Sequence, residues 1–255
     1  MTFLSSAFTV SALVFVCVFG ATLLAMRLRR ALPHHHLARG AETAIKLAAG
    51  LVGTMSALVI GLLLASAQTQ YYADSNVTTQ MAATSVLIDH MLSGFGDEAL
   101  PARVELRHNV EAMRSGIWPD DSSMPVELVP ATVDGTALYV LIESLDPKTG
   151  VERSLKPQIL QKAIALGQLR WQLAEQANTD VSAPVLVVVV CWLAVIFFSY
   201  GLFAPVNATV IVMLLFAALS VSDAIFLILE LDTPYGGLIQ ISSKPIDSAL
   251  EHLGK

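Results

Sequence analysis

The residues of this sequence with the clearest chemical potential are carboxylates that lie inside or beside apolar segments. Asp223 follows the run ALSVS and precedes AIFLIL, and Glu230 comes seven residues later. Seven residues are about two helical turns, so a helix would place both carboxylates on one face. A charged side chain in a membrane span costs about 2.5–3.5 kcal/mol and usually faces a bundle interior or a water-filled cavity. The spacing therefore predicts a polar stripe, which Ser220 and Asn207 extend toward the other end of the span.

A structural role for Asp223 is equally compatible with the sequence. In that interpretation its carboxylate accepts hydrogen bonds from a neighbouring helix, close enough to the outer surface to be wet. Asp223 lies about two turns before the outer end of its apolar segment, and a sequence places the ends of a helix only to within a few residues. Both interpretations stay open at this point.

Other motifs that carry chemistry are absent from the sequence. It has neither the HExxH spacing of a zinc enzyme, nor a Gly-rich phosphate loop, nor a nucleophile elbow. His34, His35 and His36 are adjacent, but neighbouring side chains of a strand or helix point apart and do not meet at one metal. Cys17 and Cys191 lie in apolar segments, which favours packing over metal or disulfide chemistry. We therefore predict no enzymatic activity, no cofactor and no metal site.

The composition indicates an integral membrane protein. The 255 residues are 55% hydrophobic and 14% charged, with a mean hydropathy of +0.64, whereas soluble domains contain about 25% charged residues. A net charge of −6 argues against nucleic-acid binding, which requires a basic surface. Four segments have the roughly 20 apolar residues that a span needs. They are residues 2–26, 44–67, 182–203 and 207–229.

The charges that flank the spans predict the topology. No Lys or Arg precedes the first apolar run, whereas Arg27, Arg29 and Arg30 follow it, a pattern that favours an uncleaved anchor over a signal peptide. The positive-inside rule places loop 27–43 in the cytoplasm, so both termini are predicted outside. We expect a multi-pass protein of a bacterial inner membrane, surrounded by lipids.

The second span carries two further features. Glu42 and Lys46 stand four residues apart with the acid first, the favourable order for an ion pair on a helix, here at the cytoplasmic foot of the span. Gly50, Gly53 and Gly61 recur along the span. Small residues at such spacing let helices approach closely in lipid, which predicts helix packing.

The long segment between the second and third spans is predicted to fold outside the cytoplasm. Four stretches within residues 68–181 show apolar residues at helical spacing, which indicates a helical bundle. The fold class is therefore an all-α membrane protein with four transmembrane helices and an extracytoplasmic helical bundle between spans two and three. The predicted regions are 1–67 for the first two spans, 68–181 for the outer bundle, 182–229 for a transmembrane hairpin and 230–255 for the tail.

The tail is predicted to turn and dock on the outer helices. A turn is indicated by the carboxylate, proline and glycines of its first residues. They are Asp232, Pro234, Gly236 and Gly237. Ser243 can cap a final helix with Pro245 in its first turn, and that helix is amphipathic.

The C-terminal part of the sequence resembles a known family. The stretches GLFAPVNAT (201–209) and FLILELDTPYGGLIQISSKP (226–245) match motifs of bacterial four-span membrane proteins that are labelled bestrophin-like and have no assigned function. The resemblance is close over the hairpin and the tail, and looser over the first two spans and the outer helices. The chain departs from the family pattern at Val206, where a basic residue is common, and at Asp223, where a small residue is common.

The resemblance implies a relation to bestrophins, which are pentameric anion channels, and hence a homo-oligomer that conducts ions. Two features differ from bestrophins. The large soluble part is predicted outside the cytoplasm rather than inside, and residues 68–181 carry fifteen acidic against eight basic side chains, which favours cations. The predicted function is an oligomeric, channel-like protein with a cation as candidate partner. The alternative is a non-conducting scaffold or sensor whose outer domain binds an extracytoplasmic partner or ligand.

Overall fold

The regular secondary structure of the described residues is entirely helical. The computed structural model describes residues 2–29, 39–119, 135–176 and 183–254, and within these ranges the chain forms no strand. The predicted all-α class is therefore confirmed. The helices are α1 (Thr2–Arg29), α2 (Arg39–Ser93), α3 (Leu100–Ile117), α4 (Gly135–Glu143), α5 (Gly150–Gln176), α6 (Ala183–Phe203), α7 (Ala208–Leu231) and α8 (Lys244–His252), with a short 3-10 helix at Gly96–Ala99. His34, His35, His36 and Arg30 lie outside the described residues.

Four helices are long and apolar enough to cross a membrane, as the sequence predicted. Their apolar parts are Ala7–Arg29, Glu42–Ser93, Pro184–Phe203 and Ala208–Leu231. At 1.5 Å per residue, the 55 residues of α2 extend over roughly 80 Å, whereas a bilayer core is about 30 Å thick. The second span therefore continues without a break into the following helix, and the predicted end at residue 67 falls inside α2.

The chain divides into two compact units. One comprises Thr2–Gln70 and Asp180–Thr233 and is called here the span unit; the other comprises Tyr71–Thr179 and Pro234–Lys255 and is called the head unit. The span unit contains α1, α6, α7 and the first part of α2. The head unit contains the remainder of α2, together with α3, α4, α5 and α8. The location of the head unit outside the cytoplasm stays a prediction.

In the span unit, α1 packs against both α6 and α7. Apolar side chains from the three helices form the core of this contact. They are Val14, Val18, Val189, Leu193, Phe197, Ala218 and Ile225. At the end of α1, the Arg29 guanidinium donates a hydrogen bond to the carbonyl of Ala204, in the turn where Pro205 separates α6 from α7. This contact ties the hairpin turn to the first helix.

Gly201 sets the closest approach in the span unit. A Cβ atom at this position of α6 would lie 2.5 Å from the carbonyl oxygen of Thr22 and 3.1 Å from the Cβ of Ala25. Because the obstacle at 2.5 Å is backbone, the helices would have to separate. Gly201→Ala is therefore expected to destabilise the protein by about 1–3 kcal/mol, a typical cost of overpacking.

The measurement for Gly201→Ala is the melting temperature of the purified protein in one detergent. Gly20→Ala on α1 is the matched control, because among the described residues a Cβ at Gly20 would meet no atom within 4 Å. A fall in Tm confined to Gly201→Ala would support the close approach, and equal Tm values for the two variants would contradict it.

The glycines of α2 do not bring helices together within one chain. Cβ atoms at Gly50 and Gly61 would meet no described atom within 4 Å, and at Gly53 the nearest atom is Ile196 Cδ1 at 3.9 Å. The face of α2 that turns inward instead carries Ala49 and Ser56. The packing role of the three glycines thus stays a prediction for contacts outside the single chain.

The head unit has a core of its own, and the C-terminal tail is part of it. Apolar side chains of α2, α3, α4 and α5 meet those of α8. Ile246 and Ala249 of α8 are buried, and so is Leu253 directly after it, so the amphipathic helix docks through its apolar face. Ser243 precedes α8, and its hydroxyl donates to Asp247 Oδ2 at 2.7 Å.

Hydrogen bonds anchor the segment between α7 and α8 inside the head unit. The hydroxyl of Tyr235 lies 3.1 Å from Thr78 Oγ1, and its ring meets that of Trp118 edge-on at 5.7 Å. Trp118 Nε1 donates to the carbonyl of Ile241 at 2.8 Å. Burial raises the pKa of Tyr235, which keeps its hydroxyl protonated as a donor. The tail is therefore fixed by the buried Tyr235 and the half-buried Trp118.

The predicted turn between α7 and α8 forms, and its glycines do not adopt positive φ angles. Asp232 is the C-cap of α7 and its backbone N–H donates to the carbonyl of Ile228 at 3.1 Å. The Pro234 carbonyl accepts from the N–H of Ile241 at 2.8 Å. Among the described glycines, positive φ values occur at 96 and 254, so Gly236 and Gly237 turn the chain with negative φ.

Candidate pore-lining face

The most unusual polar feature of the span unit is a carboxylate on the surface of a span. Asp223 is exposed on α7, and so is Ser220 one turn before it. Their neighbours on this side of the helix are the exposed Phe216 and Leu227. Ser220 Oγ donates to the carbonyl of Phe216 at 2.9 Å, so its hydroxyl needs no further partner in lipid. Asp223 has no such local solution, because a carboxylate cannot donate to the helix backbone.

Glu230 differs from Asp223 in its surroundings. Its side chain is 0% exposed, so this carboxylate does not share an open surface with Asp223, as the predicted polar stripe required. The two acids lie two helical turns apart on the same side of α7. Glu230 is nevertheless enclosed by protein, whereas Asp223 is exposed. The four-residue stripe predicted from the sequence therefore reduces to an exposed pair, Ser220 and Asp223.

Asn207 does not extend that face. It is the N-cap residue of α7, with φ −117° and ψ 146°, and therefore lies at the end of the helix rather than on its side. At 100° per residue, its position is rotated about 160° from Asp223 around the helix axis. Asn207 lies at the start of the fourth span, where the sequence analysis began that span, and it does not belong to the exposed face of Ser220 and Asp223.

The surface of α2 is the second open face of the span unit. In the most apolar stretch of α2, 11% of the residues are buried inside the chain, a smaller share than in the other three spans. The exposed residues of α2 include Gly50, Thr54, Ala57 and Gly61. These positions follow one another at intervals of four, three and four residues. A second helix could approach closely along such a row.

Comparison with known proteins identifies the family. The model of the bestrophin-like domain matches residues 15–246. The chain belongs to the bestrophin-like family. Two crystal structures of variants of a bacterial bestrophin homologue from Klebsiella pneumoniae share its fold. One has a TM-score of 0.70 at 11% identity and covers 95% of this chain and 97% of that chain. The other has a TM-score of 0.68 at 12% identity and covers 94% and 96%. No curated protein matches the sequence.

The bestrophin-like chain also forms the short-range ion pair that the spacing suggested. Lys46 Nζ lies 2.6 Å from Glu42 Oε1 near the start of α2. Both side chains are partly exposed, so the pair contributes little to stability. Its place at the cytoplasmic foot of the span depends on the topology and remains a prediction.

No group of three or more metal-ligating side chains comes together in the described part of the chain. Cys17 and Cys191 are both exposed on the span unit, with free thiols, rather than buried as the sequence suggested. Cys17 lies on the exposed surface of α1, and Cys191 lies on the exposed surface of α6. Replacement of both is therefore the sensible background for cysteine labelling.

Two features of the bestrophin-like chain had little signal in the sequence. Gly201 was one glycine among several in apolar helices, and its close contact with Thr22 becomes visible only once α1 and α6 are packed. Asp89 and Arg103 lie fourteen residues apart on different helices, yet form a bidentate ion pair at 2.8 and 2.9 Å. A search for acid–base pairs between predicted helices would have included this pair without singling it out.

Proposed function

We propose that this bestrophin-like chain forms a homo-oligomer in the membrane and that the exposed face of α7 lines a water-filled path for cations. The observation that carries the proposal is the exposure of Asp223 on a helix that is long and apolar enough to cross a membrane. Against lipid, that carboxylate costs about 2.5–3.5 kcal/mol. Water in a central path, shared with the same residue of other copies, removes most of this cost.

The open surface of α2 supports the oligomeric part of the proposal. Helices associate in lipid through close packing of small residues rather than through the hydrophobic effect. A single chain leaves the row of Gly50, Thr54, Ala57 and Gly61 exposed. A neighbouring copy would cover that row, which gives Gly50 and Gly61 the packing role that they lack inside one chain.

The charge of the segment between the second and third spans favours cations over anions. Residues 68–181 contain fifteen acidic and eight basic side chains, and a surface of one sign raises the local concentration of ions of the opposite sign. Asp223 adds a carboxylate within the membrane-spanning part. The resemblance to bestrophins, which conduct anions, supports a conducting oligomer, and the charges of this chain support the opposite ion preference.

The proposal is tested with the purified protein in liposomes. Native mass spectrometry in lipid is expected to show a homo-oligomer, and liposomes loaded with K⁺ are expected to release K⁺ faster than liposomes loaded with Cl⁻ release Cl⁻ under matched gradients. A monomer without flux would refute both parts. An oligomer that releases neither ion would refute conduction and favour the non-conducting scaffold or sensor.

The topology gives a prediction that needs no flux assay. Lys162 on α5 and Val206 in the turn between α6 and α7 are both exposed. In a background without Cys17 and Cys191, a membrane-impermeant maleimide is expected to label Lys162→Cys in intact cells and to label Val206→Cys only after the cells are opened. The reverse pattern would place the head unit in the cytoplasm and would invert the proposed topology.

A further inference from the structure

The head unit contains a cavity that the proposed conduction does not use. It has a volume of about 180 Å³ and lies between α3, α4 and α5. Its walls are mostly apolar, with Met113 and Leu138 among them, and the exposed Tyr139 and Ile164 form part of its rim. An engineered apolar cavity of about 150 Å³ holds benzene. The present cavity therefore has room for a six-carbon ring with one small substituent.

A buried amide faces this apolar space. Asn109 lines the cavity and is 5% exposed. Its Nδ2 atom donates to Glu105 Oε1 at 3.3 Å, whereas Asn109 Oδ1 accepts no hydrogen bond from the residues that the structure describes. A buried acceptor without a donor costs about 1–3 kcal/mol. The oxygen is thus a site for a donor that the described residues do not supply.

Arg170 brings a positive charge to the same wall. Its side chain is half-buried, and this burial lowers the pKa of its guanidinium. A Cβ atom at Gly135 would lie 3.9 Å from Arg170 Nη1, so the absence of a side chain at Gly135 leaves room beside the guanidinium. Arginine has five N–H donors and can hold a protein partner while it also binds a carboxylate. A carboxylate in the cavity would add a charge-assisted contact to this guanidinium.

Gly167 keeps the cavity open. It lies in the middle of α5, where glycine is less favourable than alanine by about 1 kcal/mol. A Cβ atom at Gly167 would meet nothing within 4 Å among the described residues, so contacts within the described chain do not require glycine. Because Gly167 lines the cavity, any larger side chain there reduces its volume. Glycine thus lowers the stability of α5 at position 167, where a larger side chain would fill the cavity.

We propose that this cavity binds a small organic monocarboxylate with an apolar body of about six carbon atoms. The carboxylate pairs with Arg170, the apolar body contacts Met113 and Leu138, and a donor on the ligand or an accompanying water serves Asn109 Oδ1. Such a site gives the head unit a ligand of its own and goes beyond the proposed path for cations. It stands or falls independently of conduction, because all its residues belong to the head unit.

The test uses the full-length protein in lipid nanodiscs and isothermal titration calorimetry with benzoate and benzyl alcohol. Benzoate is expected to bind saturably, and the neutral benzyl alcohol at least tenfold more weakly. Gly167→Leu fills the cavity and is expected to weaken benzoate binding at least tenfold. Gly167→Ala removes the same glycine but adds one carbon atom, so benzoate binding should stay within about twofold, a change of less than half a kcal/mol.

A charge variant separates a carboxylate site from a merely apolar one. Arg170→Gln is expected to weaken benzoate at least tenfold and to leave benzyl alcohol unchanged. It also carries the test if Gly167→Leu shows no folding transition and is therefore unfolded at the temperature of the titration. Equal affinity of the wild type for benzoate and benzyl alcohol, or undiminished benzoate binding by a folded Gly167→Leu protein, would overturn the proposal. Absence of saturable benzoate heat in the wild type would do the same.

Discussion

Asp223→Asn is expected to lower the K⁺ flux of the reconstituted protein about fivefold or more. A unit charge attracts a monovalent cation 4 Å away by about 1 kcal/mol in water, and by more where the dielectric constant is lower. Loss of that attraction reduces the local cation concentration by about the stated factor, since 1.4 kcal/mol corresponds to tenfold. Asparagine has nearly the same shape and Asp223 is exposed on α7. The fold should therefore survive, as shown by an unchanged Tm.

Two further variants isolate the charge of Asp223. Asp223→Glu keeps the carboxylate and is expected to retain most of the K⁺ flux. Asp146→Asn removes an exposed carboxylate of the head unit and is expected to change the flux only slightly. If Asp223→Asn leaves both the flux and the oligomer unchanged, the proposed role of the α7 face fails. If it dissociates the oligomer, the carboxylate packs helices instead, which is the structural interpretation that the sequence left open.

The spans were predictable because their signal is local. The predicted segment 182–203 corresponds to α6, Ala183–Phe203, and 207–229 corresponds to α7, Ala208–Leu231. The hairpin turn followed from Pro205, which removes a backbone donor. A run of apolar residues between charges needs no knowledge of the rest of the chain, since the bilayer alone fixes the length of a span.

The environment of individual side chains was less predictable because it depends on partners that are distant in sequence. Tyr235 and Thr78, 157 residues apart, meet in the head core, and hydropathy alone does not indicate such a contact. Glu230 was predicted to share an open polar stripe with Asp223 and is fully buried. Similarly, Gly50 was predicted to pack against another helix and meets none within the chain, whereas Gly201, which the sequence did not single out, makes such a contact.

Arg103→Met is expected to lower the stability of the head unit by about 3–5 kcal/mol, because it leaves Asp89 buried without its ionic partner. The two side chains are 13% and 7% exposed. The hydrogen bond from Arg103 to Asp89 raises the pKa of Arg103, so the contact favours the charged arginine. For a unit of this size the loss corresponds to a fall in Tm of roughly 10–20 °C.

The measurement is the thermal transition of the purified protein, followed by hydrogen exchange at the amides of α3 so that the head unit is observed directly. Lys148→Met is the control, since the pair of Lys148 with Glu98 is exposed on the surface. Removal of that lysine should hardly alter the transition. A similar Tm for the two variants would show that the buried pair of Asp89 and Arg103 contributes no more than a surface pair.

The double variant Asp89→Leu with Arg103→Met shows which part of the cost dominates. If the loss in Arg103→Met arises from an uncompensated buried carboxylate, removal of that carboxylate should recover most of the Tm, because apolar replacements of buried ion pairs are often neutral. Some loss should remain, since Asp89 Oδ2 also accepts from the N–H of Gly254 at 3.3 Å and so holds the end of the tail. A double variant that is no more stable than Arg103→Met would instead show that the stability comes from the bidentate contact itself. Asp89 would then connect α2 to α3 through Arg103, and to the end of the tail through Gly254.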